Sequence, residues 1–282
     1  MSLITLKNIN YTYPLESKAT IKNLNLTLES GKVYGLIGAN NAGKTTLCNI
    51  IRGFIPSVYR GELEGEVLLK GKNLTSYDSG EIASIIGYSF QNPFTQISGV
   101  KETVYEEIAY GMENLGVLRE KMIQKVEELL KLFNLEELKD KNPFELSGGQ
   151  KQRVALASII ALDPEVIILD EPTSQLDPKS TEDIFNIIKL LKSTGKTIIL
   201  IEHKIDLVAE YCDDVILMEN GQIIMQGPSR SVLTNESVLK HGGQLPQVTL
   251  FFLEGKKAGK IPADRKIPIT INEAYEFLGK EK

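Results

Sequence analysis

The segment Gly38-Ala39-Asn40-Asn41-Ala42-Gly43-Lys44-Thr45-Thr46 has the spacing of a glycine-rich loop that wraps phosphate. Its backbone N–H groups and the helix that should follow them make an anion site, Lys44 brings a point charge to the β and γ phosphates of a nucleotide, and the Thr45 hydroxyl suits Mg²⁺. A chance match to this pattern arises in about one chain in a hundred at ordinary glycine frequency. Here the context agrees as well, because the apolar run Val33-Tyr34-Gly35-Leu36-Ile37 precedes the loop as a strand and residues Lys44 to about Arg52 follow as a helix.

Leu169-Asp170-Glu171 closes a second apolar run, Val166 to Leu169. Asp170 is expected at the carboxyl edge of that strand, where a carboxylate can hold Mg²⁺ through water. Glu171 lies one residue farther out and is the candidate general base for an attacking water. Leu146-Ser147-Gly148-Gly149-Gln150 precedes an apolar helical pattern, so Ser147 and the two glycines should sit at a helix N-terminus as a second anion site.

The elements that must position these groups follow from periodicity. Ile4 to Tyr13 and Ile21 to Leu28 alternate as strands of a small antiparallel sheet. Val166–Leu169 and Thr197–Ile201 are buried strands separated by a helix through Ile184, Ile187, Ile188 and Leu191, which implies a parallel α/β sheet. Residues 92 to 150 form an inserted helical subdomain. Asn220-Gly221 turns a hairpin between Val215–Met218 and Gln222–Met225. Beyond Pro228, Pro246, Pro262 and Pro268 break up a tail that ends in a short helix over Thr270 to Leu278, capped by Thr270 with Glu273 in its first turn. The charged run Lys256 to Lys266 is expected to be a solvated loop.

The 282 residues carry a net charge of −5, which argues against a nucleic-acid backbone as partner. Cys48 and Cys212 stand far apart, with neither disulfide-framework nor zinc spacing, and a reducing cytosol fits them. No secretory leader and no run long enough to span a membrane is evident, so any membrane role must pass through a partner.

With Tyr13, Gln91, Ser174-Gln175-Leu176-Asp177 and His203 occurring in order around these motifs, over residues 13 to 203, the chain resembles the ATP-binding-cassette ATPases, and the resemblance covers nearly the whole chain to about residue 227. The resemblance implies an α/β fold: a phosphate-loop core with a mostly parallel sheet, an N-terminal antiparallel subdomain, the helical insertion, and a small C-terminal extension over 228–282. It also implies roles. Tyr13 stacks on adenine, and residues 38–46 hold ATP. Gln91 contacts Mg²⁺ or the lytic water, and His203 meets the γ phosphate. Ser147, Gly148, Gly149 and Gln150 cap the ATP of a facing cassette, with Ser174 and Asp177 in the loop between the two subunits. Mg²⁺ falls to Thr45, Gln91 and Asp170. Two departures stand out: Asn41 replaces a usual glycine and is the residue next most tolerant of a left-handed backbone, and Gln175 replaces a usual alanine. His241 matches nothing.

A narrower resemblance, to the energy-coupling-factor ATPases of vitamin and metal-ion importers, rests on Phe90-Gln91-Asn92-Pro93, Val104 to Gly111, Glu113 to Gly116, Leu245-Pro246-x-Val248 and Ile267 to Ala274. It implies a second cassette, identical or paralogous, an integral-membrane scaffold whose coupling helices enter the helical subdomain, and indirectly a substrate-binding membrane subunit. The place of work would be the cytoplasmic face of the membrane. Two other classes compete. A soluble mechanical ATPase of DNA repair, chromosome organisation or translation usually carries coiled-coil insertions or two cassettes in one chain, and a clamp that binds ATP without hydrolysing it would not need Glu171 and His203.

Overall fold

Strand-forming alternation at the N-terminus is realised directly in the computed structural model, which describes residues 2–174 and 176–279. Strands β1 (Ser2–Thr12) and β2 (Ile21–Glu29) pair antiparallel, with Ile4 opposite Leu28 and Ile9 opposite Leu24. Those four side chains are all buried, so the register is fixed by one apolar face. Strand β3 (Val33–Ile37) is buried along its whole length and leads through the glycine-rich loop into α1 (Lys44–Ile51) and a short turn, α2 (Phe54–Ser57). Strand β4 (Glu62–Leu69) then adds to the other edge of β1, antiparallel, with Leu6 opposite Val67.

Contacts divide the chain into two units, Met1–Gly71 with Ile201–Lys282, and Lys72–Leu200. In the second, a two-residue strand β5 (Lys72–Asn73) and helix α3 (Ser79–Ile85) lead to β6 (Ile86–Ser89), which runs parallel to β7 (Val166–Asp170), with β8 (Thr197–Ile201) following β7 in the sheet order. Between β6 and β7 the chain is helical. Thr103 caps α4 (Val104–Asn114) reciprocally with Glu106, and α4 packs against α5 (Arg119–Leu132) and α6 (Gly148–Ile160), with Ile108, Met112, Val126 and Leu129 buried. Helix α7 (Pro178–Ser193) joins β7 to β8 and buries Ile184, Ile187, Ile188 and Leu191, the positions expected from their spacing.

The first unit resumes with α8 (Ile205–Tyr211) and β9 (Asp214–Glu219), parallel to β3, then β10 (Gln222–Pro228) antiparallel to β9. Asn220 and Gly221 both have positive φ, 49° and 81°, the geometry of a two-residue hairpin turn. Helices α9 (Ser229–Leu233), α10 (Ser237–Lys240), α11 (Gln247–Lys257) and α12 (Ile271–Gly279) complete this unit. The rings of Phe252 and Phe277 meet edge to face at 4.8 Å, and Arg230 pairs with Glu273 while donating to the Ile267 carbonyl. Thr270 Oγ1 accepts the Glu273 N–H, as expected of a cap, whereas the Glu273 carboxylate reaches the Ile269 N–H.

Three elements differ from the periodicity reading. Strand β4 buries only Val67 and Leu69, because its first half is glutamate-rich, and β6 is only four residues long. Helix α11 starts beside Pro246, which stands at the N-cap position instead of breaking the tail, and it takes in Lys256 and Lys257, so the charged run is a solvated loop only beyond them. Among the described residues, no helix is long and apolar enough to cross a membrane.

Candidate nucleotide site

In the first unit, steric crowding and left-handed backbone shape the loop. A Cβ on Gly38, whose φ is 144°, would stand 2.2 Å from the Met218 carbonyl oxygen, so only glycine lets the loop leave β3 against β9. Asn41 adopts φ 64° and Gly43 φ 102°. Asparagine is tolerated in that region where larger or branched side chains are not, so the usual glycine is replaced without loss of the turn. Lys44 opens α1, is buried, and donates from Nζ to the carbonyls of Gly38 and Ala39, each at 2.9 Å. Its ammonium is thereby held over the loop. The Tyr13 hydroxyl and Thr46 Oγ1 are 3.1 Å apart, and the Tyr13 ring meets Tyr11 edge to face at 4.8 Å. The N–H of Gly221, in the β9–β10 turn, donates to the Ala42 carbonyl at 2.9 Å.

The turn between β8 and α8 sets His203. Buried Glu202 accepts the backbone N–H groups of His203 and Lys204 through Oε1, at 2.9 and 3.1 Å, which fixes the turn that presents the imidazole. His203 lines an open cavity of about 250 Å³ together with Gly38, Ala39, Asn40 and a segment absent from the sequence reading, Gly242-Gly243-Gln244.

The second unit assembles the carboxylates. Asp170 is the last residue of β7 and is buried, and Tyr88 on the adjacent β6 donates its hydroxyl to Oδ2 at 2.6 Å. Glu171 follows with φ 48°, a left-handed conformation that costs a non-glycine residue on the order of 1 kcal/mol. Gln91 Nε2 donates to Glu171 Oε2 at 2.6 Å. The sequence candidates Gln91, Asp170 and Glu171 thus belong to one cluster, and Tyr88 joins it without any local signal in the sequence.

Ser147 caps α6 reciprocally with Gln150: its N–H reaches Gln150 Oε1 at 2.9 Å and its Oγ accepts the Gln150 N–H at 3.4 Å. A hydroxyl that accepts there keeps its proton for another acceptor. A Cβ on Gly148 would meet open space, whereas one on Gly149 would stand 3.0 Å from Ser180 Oγ. Ser180 is bonded through N and Oγ to Asp177, the cap of α7, at 3.0 and 2.6 Å. The serine hydroxyl, then the backbone N–H, hold the Asp177 carboxyl below its ordinary range. Ser174 donates its N–H to the Glu171 carbonyl at 3.2 Å; Gln175 lies outside the described residues.

Known proteins resemble the chain over most of its length. Residues 21–174 match the family model for ABC transporters. A putative ABC transporter ATP-binding protein of Pyrococcus abyssi is 37% identical, covering 100% of this chain and 99% of its own. An energy-coupling factor transporter ATP-binding protein of Acetivibrio thermocellus is 39% identical over 98% of each chain. Among solved structures, cbiO1 of Clostridium perfringens, part of the ABC transporter complex cbiONQ, superposes with a TM-score of 0.75 at 30% identity, over 92% of this chain and 99% of that one. An ATP-binding cassette solved as a dimer with ADP and Pi gives 0.69 at 28% identity, over 80% and 99%. Likeness that runs from the first strand into the C-terminal helices makes this chain a member of the ABC transporter family, an ATP-hydrolysing ATP-binding subunit.

Proposed function

We propose that the chain powers an energy-coupling-factor type importer, hydrolysing ATP to drive uptake of a vitamin or metal ion through membrane partners. The observation that carries this reading is the 39% identity to an energy-coupling factor transporter ATP-binding protein across 98% of both chains, which includes the helical tail as well as the cassette. Residues 1–227 are the cassette in this reading, and 228–282 add contacts to a second cassette. Exposed Phe251, Ile271 and Tyr275 on α11 and α12 support such a contact. Exposed Phe94, Val100 and Phe144 support a docking groove in the helical segment for the coupling helices of a membrane scaffold. The substrate-binding membrane subunit is reached only through that scaffold, and the chain works as a peripheral protein on the cytoplasmic face.

In the reaction, Tyr13 stacks on adenine while the loop N–H groups of residues 38–46 and Lys44 hold the phosphates. Glu171 takes a proton from the attacking water as its oxygen bonds to the γ phosphorus, and the bond from that phosphorus to the bridging oxygen of ADP breaks. Gln91 orients the carboxylate through its 2.6 Å bond. His203 and, from a facing cassette, Ser147 to Gln150 meet the γ phosphate, with Ser174 and Asp177 in the loop between subunits. The donors Thr45 hydroxyl, Asp170 carboxylate and Gln91 amide oxygen are hard oxygens that suit Mg²⁺. Because Gln91 commits its amide nitrogen to Glu171, its oxygen is the atom to offer the ion. Bound there, the ion would neutralise charge on the β and γ phosphates.

Co-expression with the genomic neighbours and detergent extraction test this reading. Co-purification with a membrane protein and a second cassette, with ATPase activity that depends on them, is the expected result. A chain that stays soluble and hydrolyses ATP fully by itself would overturn transport in favour of a mechanical ATPase.

A further inference from the structure

The segment after α10 lies against the phosphate loop although its sequence carries no nucleotide motif. His241 Nδ1 and Glu219 Oε2, at the end of β9, are 3.0 Å apart, and the Gly243 N–H closes back on the Val238 carbonyl at 3.0 Å. Gly242 has φ 71°, and a Cβ there would stand 3.2 Å from the Ala39 Cβ of the loop. A Cβ on Gly243 would stand 2.6 Å from Val238 Cγ1 and 3.0 Å from Leu217 Cδ1. Two successive positions therefore require glycine, one for its backbone angle and its approach to the loop, the other for its fit against α10 and β9. The anchors and the glycines leave Gln244 as the first side chain of the segment with length and hydrogen-bonding capacity. It faces the same 250 Å³ cavity as His203, Ala39 and Asn40.

We propose that Gln244 is a specificity-determining residue for ATP over ADP: its amide N–H donates to the terminal phosphate in this cavity, alongside His203. The inference rests on the reading of this cavity as the terminal-phosphate end of the nucleotide site. Its chemistry is that of the cavity wall. A neutral amide supplies a donor to a phosphate oxygen without adding charge, and a hydrogen bond to a charged group is among the stronger ones. ADP lacks the phosphate that would fill this space, so loss of the donor should fall on ATP alone. The tail thereby acquires a direct contact with the part of the nucleotide that hydrolysis removes.

The test measures binding of a β,γ-imido ATP analogue and of ADP to the full chain as wild type, Gln244→Ala, Gln244→Glu and His203→Ala. Gln244 is exposed, so its replacement leaves the core intact, and ADP affinity reports the fold. Gln244→Ala is expected to weaken the ATP analogue roughly tenfold with less than about a twofold change for ADP. Gln244→Glu, which swaps the donor for a negative charge, should weaken it further. If His203→Ala loses the preference for the ATP analogue and neither Gln244 variant does, the inference fails while the reading of the cavity stands. If all three variants keep the preference, the reading of the cavity fails and the inference with it. Equal loss of both nucleotides in the Gln244 variants would make the residue merely structural and would also overturn the proposal.

Discussion

Gln91 and Glu171, eighty residues apart in sequence, share a side-chain hydrogen bond of 2.6 Å. The bond links the loop that follows β6 to the proposed general base, so any movement of that loop is felt at the carboxylate. Replacing Gln91 with Ala should lower kcat by about ten- to a hundredfold, in the range of lost acid–base positioning, with a smaller change in KM for ATP. Steady-state kinetics of the assembled complex check this, and an unchanged kcat would separate Gln91 from the reaction.

Lys44 holds its ammonium over the loop through the Gly38 and Ala39 carbonyls. Lys44→Ala removes the only charge this loop brings to phosphate, and nucleotide binding should be abolished by equilibrium titration while the fold, read by circular dichroism, persists.

Asn41 tests the backbone argument. Asn41→Gly should preserve nucleotide affinity, because φ 64° is open to glycine, whereas Asn41→Val should cost on the order of 1–2 kcal/mol and weaken binding. Chemical denaturation and nucleotide titration of the two variants distinguish backbone strain from a side-chain role.

Tyr88 donates to the buried carboxylate of Asp170. Tyr88→Phe leaves that acceptor with one bond fewer, and a loss of about 1–3 kcal/mol in stability is expected. If Asp170 holds the metal, the Mg²⁺ concentration giving half-maximal turnover should also shift; a magnesium titration measures it.

The tail carries a pH signature. Burial alone would raise the Glu273 carboxyl, but the Ile269 N–H and Arg230 outweigh it and hold the group below its ordinary range. A depressed folded-state value means that its stabilisation is present above the unfolded value and is lost as pH falls through the folded one. The difference in melting temperature between wild type and Glu273→Gln should be positive near neutrality and shrink between about pH 5 and pH 3. A difference independent of pH would contradict the ion pair.

Much of this is legible in the amino-acid sequence. Strands β3, β7 and β8 are runs of apolar residues that end in turn signals, and each is buried at every position. The glycine–lysine–threonine loop, the Asn220-Gly221 turn and the Ser147 cap depend on local chemistry, which a sequence carries within a few residues. Tyr88 and Gln244 could not be found that way. Tyr88 matters because β6 pairs with β7, and Gln244 because an anchored glycine pair brings the tail to the loop, both being contacts between distant segments. Strand β4 hides for a related reason, since its glutamates face solvent and only two of its side chains are buried.

The most direct measurement is the single-turnover rate of Glu171→Gln in the complex purified with its partners, alongside its affinity for ATP. With Glu171 as general base, hydrolysis should fall by at least about a hundredfold while ATP binding is retained. Wild-type turnover in the variant would remove Glu171 as the base and contradict the proposed reaction.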